Sequence, residues 1–165
     1  MRLHGRGGHH SGVGTRYFTV GEANELVPTL EAGFRRLFQL RGELRRAYVE
    51  LEAAGHPPSW DSLRTPAEVP AEIRGVHGRF LALAMAMAEE FEAIVQTGVQ
   101  VKDTEAGLCD FPTVRDDRVV LLCWKLGERA VEHWHELQGG FAGRQPLELE
   151  LGPPRHLPVG HSNGI

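Results

Sequence analysis

This sequence has little that could staple, anchor or steer it. Its 165 residues include only two cysteines, Cys109 and Cys123, too few for a disulfide framework and without the CxxC spacing of a zinc knuckle. Nowhere do about 18 uninterrupted apolar residues occur, so no membrane-spanning helix is expected, and the opening "MRLHGRGGHHSGVG" lacks the apolar core of a signal peptide. A cytoplasmic location follows as an expectation, with no membrane partner. Positive charge is not in excess either: 18 Lys and Arg against 22 Asp and Glu leave a formal charge of -4, so no overall field draws a polyanion. Arg35, Arg36, Arg45 and Arg46 are interleaved with Glu31, Glu43 and Glu50 and form no basic stripe, so nucleic acid is not an expected partner.

What is present suffices for one domain. An apolar content of 41% can build a core without staples at this length. Residues 1–15 and 148–165 are broken by glycine, histidine and proline and read as flexible tails, which leaves 16–147 as the working domain. His4, His9 and His10 could pick up a metal ion adventitiously, without a specific role.

"TVGE" opens the first helix, because Thr19 and Glu22 have the spacing of a capping box. Pro28 removes a backbone donor and predicts a kink or restart near Val27. Leu26, Leu30, Phe34, Leu37, Leu40, Leu44, Tyr48 and Leu51 recur at three and four, one stripe down a long amphipathic helix that Gly55 closes. After a proline-dense connector over 55–70, Ile73, Val76, Phe80, Leu83, Met87, Phe91 and Ile94 mark a second helix over 71–97, capped at Gly98. Two narrow stripes of similar length predict an antiparallel helical hairpin.

From Val99 the period becomes two. "VQVKD", "LCDFPTV" and "VVLLCWKL", separated by "TEAG" and "RDDR", predict a three-stranded antiparallel meander. Two four-residue loops would pair Asp103 with Leu108, Val101 with Asp110 and Asp110 with Cys123. Alternation then places Asp103, Asp110, Cys123 and Lys125 on one face and Cys109 on the other, too far apart for a disulfide. Residues 126–138, with Leu126, Ala130, Trp134 and Leu137 at helical spacing, predict a short C-terminal helix. The fold class is therefore α+β: a long helical hairpin on a small meander, then one short helix.

"RYFTVGEANELVPTL", "GVQVKDTEAGLCDFP", "VVLLCWKLGE" and "WHELQGGFAGRQPL" together resemble a prokaryotic family known as domain of unknown function 2203. The resemblance spans about residues 16–147 and implies no reaction, ligand or catalytic residue. Site candidates therefore rest on their own chemistry. On the predicted C-terminal helix, Glu128, Glu132 and His135 fall within about 60° of one another, a carboxylate and imidazole triplet able to hold a divalent metal. The same wheel turns them toward solvent, opposite the apolar arc. Asp103 and Asp110, paired acids in an apolar rim, suit proton transfer or a divalent ion; a structural ion pair with Lys125 is the alternative. Arg144, after "GGFAG", could close on an anion or an acidic group, and Arg41, on the apolar stripe of the first helix, either snorkels or meets Asp103, Asp110 or Glu128.

Two functions stay open. The first is a protein-interaction scaffold, pairing with itself as a homo-oligomer or with another protein along stripe edges such as Val27, Phe38 and Ala47. The second is a small metal-dependent or acid/base hydrolase in which Asp103, Asp110 and His135 do the chemistry and Arg144 or Arg41 steadies a small anionic ligand. Convergence of these residues in one place favours the second; dispersal favours the first.

Overall fold

The computed structural model describes residues 15–58 and 69–147. Both predicted tails, the N-terminal histidines and most of the connector lie outside the described residues. Helix α1 (Val20–Ala53) begins with the capping box: the Thr19 side chain accepts from the Glu22 amide at 3.0 Å, and the Thr19 amide donates to Glu22 Oε2 at 2.8 Å. It runs 34 residues without the restart that Pro28 predicts, because the proline sits on the exposed side, where water can serve the carbonyl left without a donor. At its other end Gly55 adopts φ 79°, its amide bonding Glu52 O and the His56 amide bonding Leu51 O, the Schellman arrangement that satisfies the last carbonyls. Helix α2 (Arg74–Gln96) returns antiparallel: Gly33 faces Ile94, and Glu50 faces Arg79. Gly33 lets the helices close, since a Cβ there would lie 3.0 Å from Ile94 Cγ1.

The sheet has five strands in the order β1 (Gln100–Asp103), β2 (Leu108–Arg115), β3 (Arg118–Lys125), β4 (His133–Glu136) and β5 (Gln145–Pro146), each antiparallel to its neighbour. The first three are the predicted meander. The last two replace the predicted C-terminal helix. That correction has a local cause: the chain turns at Gly127, which takes φ 100°, and Leu122 pairs with Trp134, so the apolar residues that mimic helical spacing belong to a strand and its flanking turns. A second correction concerns register. Asp103 pairs with Leu108 as expected, but a bulge at Lys102 then shifts the pairing to Val101 with Cys109 and Gln100 with Asp110. Val101 consequently joins the face that packs on the helices.

That inner face carries Cys109, Phe111, Val120, Leu122, Trp124 and Trp134, which pack with Phe18, Val27, Leu30, Phe34, Leu37 and Ile94 in one core. The Phe18 ring meets Phe111 edge-on at 5.3 Å, and Phe34 lies 6.4 Å from Trp124. The β2–β3 hairpin closes in two residues, Asp116 and Asp117, at φ 49° and 57°, a left-handed turn that glycine or asparagine occupies with less strain. Asp117→Gly is therefore expected to stabilise the fold by about 0.5–1 kcal/mol, read as a shift of the urea midpoint at unchanged slope; a lower midpoint would refute the strain assigned to that turn.

Candidate metal centre

The other face of the sheet is where the polar residues meet. Because β2 and β3 pair Asp110 with Cys123, and β3 and β4 pair Leu121 with His135, side chains from three adjacent strands rise on the side away from the helices. Asp110 and His135 are each 2% exposed and Cys123 is fully buried. His135 Nε2 lies 3.2 Å from Asp110 Oδ1, and His135 Nδ1 lies 2.8 Å from the Glu136 carbonyl oxygen. A carbonyl only accepts, so the contact with Glu136 assigns a hydrogen to Nδ1 and turns Nε2 toward the Asp110 carboxyl. One donor atom from each of Asp110, Cys123 and His135 falls within 4.8 Å of the other two. Lys102 Nζ approaches the second Asp110 oxygen at 3.7 Å from the bulge.

Burial pushes the Cys123 thiol up to about 11 and the nearby Asp110 charge adds to the rise, while the Arg144 guanidinium, 4.0 Å from the sulfur, draws it back. At neutral pH the group is a thiol and no nucleophile. Cys109, on the inner face, is held at about 12, mainly by burial. Both cysteines are free and on opposite faces, as the strand alternation predicts.

Beside the three donors stands an ion pair. Arg144 Nη1 donates to Glu128 Oε1 at 2.7 Å, and its guanidinium lies over the Phe141 ring at 4.0 Å. Glu128 is fixed in turn, since its Oε2 accepts from the Lys125 amide at 2.8 Å and its carbonyl from Trp124 Nε1 at 2.9 Å. The glycine-rich stretch is a β4–β5 connection with a single 3-10 turn at Phe141–Gly143, and it brings Arg144 back over the sheet.

The structure therefore joins some predicted candidates and separates others. Asp110, His135, Arg144 and Glu128 come together. Asp103 stands apart: its Oδ1 accepts from the Glu105 and Ala106 amides at 2.7 and 2.9 Å and caps the β1–β2 turn, which holds its carboxyl below the usual range. The paired-acid site is thereby corrected to an aspartate and histidine pair. Glu132 is exposed, and the Glu128, Glu132 and His135 triplet is lost with the helix that was to carry it. Arg41 snorkels: it is exposed, lies 5.0 Å from the Phe38 ring centre and, among the described residues, pairs with Glu105 at 3.5 Å. Cys123, placed by strand alternation on the Asp110 face but not counted among the site candidates, is the further ligand candidate that the structure adds. The signal for it was "HWHE" read with a period of two, which puts His133 and His135 on the Cys123 face; His133 pairs directly with Cys123, and its buried Nδ1 has no partner.

A family model described as an uncharacterized conserved protein, DUF2203, matches residues 16–147. The chain belongs to that family. No curated protein and no solved structure matches it, so what this DUF2203 chain does is argued from its own site. Among its described residues no helix is long and apolar enough to cross a membrane.

Proposed function

We propose that the chain is a mononuclear metal protein in which Asp110, Cys123 and His135 hold a zinc-class divalent ion for hydrolytic or acid/base chemistry on a small anionic substrate. The observation that carries this is the meeting of a carboxylate, a thiol and an imidazole within 4.8 Å in a buried place. Mixed sulfur, nitrogen and oxygen donors suit zinc and its neighbours, and three protein ligands leave a position for water or substrate. Tetrahedral binding at roughly 2.0–2.3 Å from each donor needs the three to draw in by only about 1 Å. His135 is already oriented as a ligand, because its Nδ1–H is committed to the Glu136 carbonyl and Nε2 faces the other donors. The ion would polarise a bound water or carbonyl, and Arg144, able to exchange Glu128 for an incoming anion, would hold the substrate.

Elemental analysis of tag-free protein after zinc loading and gel filtration is expected to find about one ion per chain, as the proposed single site requires. Cys123→Ser and His135→Gln are each expected to weaken binding by about a hundredfold or more, on the scale of lost ligand interactions. Equal metal content in wild type and both variants would refute the site. Hydrolysis of activated esters and phosphate esters, lost on chelation and restored by zinc, tests the chemistry separately.

A second reading, self-association through the helical hairpin, is favoured by the exposure of Met85 (64%) and Phe91 (38%) on α2. The stripe edges expected for it on α1 are not available throughout, since Val27 and Ala47 are buried inside the chain.

A further inference from the structure

Among the described residues, helix α2 keeps one exposed face. Of its 23 residues only His77 and Ile94 are buried, and at 100° per residue Met85 points about 180° away from Ile94, the residue that packs on α1. Along this outer side Arg74, Gly78, Leu81, Met85, Ala88 and Glu92 follow one another at intervals of four, three, four, three and four, a stripe of heptad spacing. Five of the six are exposed and Leu81 is half-buried. A Cβ built on Gly78 meets nothing within 4 Å, so that position is open.

The stripe is palindromic in chemistry. Reversed about Leu83, it sets Arg74 against Glu92, Gly78 against Ala88 and Leu81 against Met85: opposite charges at the ends, two small residues inside them and two large apolar ones at the centre. A face that complements itself when inverted suits a two-fold axis, where each contact is made twice. Small residues paired with small ones let two helices approach closely, and an apolar centre with charged ends fixes the direction.

We infer that α2 pairs with α2 of a second copy of this chain, antiparallel about a two-fold axis near Leu83. The inference rests on the self-association reading and is independent of the metal. The paired stripes run from Arg74 to Glu92, 19 residues or roughly 27 Å of helix at a rise of 1.5 Å, and the two sheets lie at opposite ends of the assembly.

Sedimentation equilibrium on full-length protein, with four variants beside wild type, tests it. Wild type is expected to dimerise. Met85→Glu places like charges near the axis and is expected to raise the dimer Kd by at least about a hundredfold, as burial of two uncompensated charges implies. Arg74→Glu opposes a glutamate to the partner's Glu92 twice per dimer and is expected to raise Kd about tenfold, whereas Arg74→Glu combined with Glu92→Arg restores it to within about threefold. Leu81→Cys with Met85→Cys is expected to cross-link two copies on oxidation. A wild type that stays monomeric at high micromolar concentration overturns self-association altogether. A dimer indifferent to Met85→Glu and to the charge exchange overturns this geometry while leaving self-association standing.

Discussion

His135→Ala is expected to destabilise the protein by about 3–5 kcal/mol, the cost of leaving the buried Asp110 carboxyl without this hydrogen-bond partner and of opening a cavity in place of the imidazole. The imidazole contacts the Asp110 carboxylate at 3.2 Å, and both groups are 2% exposed. Without it Asp110 keeps only Lys102, at 3.7 Å and from a half-exposed side chain. For a domain of this size such a loss lowers the melting temperature by about 6–20 °C. Asp110→Asn is expected to cost less, about 0.5–1.5 kcal/mol, because the carboxamide can donate to Nε2 while Nδ1 keeps its bond to Glu136. Urea denaturation of metal-free protein measures both. A histidine variant within about 1 kcal/mol of wild type would refute the weight given to this buried contact.

Zinc affinity is expected to fall at least tenfold for each unit by which pH is lowered, so at least about a hundredfold between pH 8 and 6. The sign follows from the protons. Cys123, held at about 11, carries its proton throughout that range, and the metal binds the thiolate, so each ion expels one proton from sulfur. Cys123→Asp replaces the thiol by a carboxyl that ionises several units lower, so even with the rise that burial and Asp110 impose at this position its slope is expected to be shallower than that of wild type toward pH 8. Competition titrations with a chromophoric chelator at several pH values give the slopes. A pH-independent affinity in wild type would place the ion elsewhere.

Legibility from the sequence varied with how local the cause was. The capping box at Thr19 and Glu22 and the Gly55 and Gly98 caps depend on neighbours a few residues apart, and the pairing of Asp110 with Cys123 depends on one tight turn between them; the structure shows all of them. The bulge at Lys102 depends on the core demanding Val101 beside Cys109, a long-range reason that alternation over five residues cannot express. The strand at His133–Glu136 was hidden by coincidence: Leu126, Ala130, Trp134 and Leu137 have helical spacing, and only the open pairing edge of β3 recruits that segment into the sheet. Glu128 and Arg144 were visible as polar candidates, but their contact spans 16 residues and needs the β4–β5 reversal to exist.

The three donors, Asp110, Cys123 and His135, come from three neighbouring strands, the second 13 positions after the first and the third 12 positions after the second. A one-residue slip of any of these strands would send its donor to the opposite side, so the trio exists only when every ribbon has found its partner in the right alignment. If these three donors hold zinc as proposed, capture of the ion would be a late event in the life of the nascent chain, and the rate at which a freshly refolding sample quenches a zinc indicator would time the completion of its β architecture.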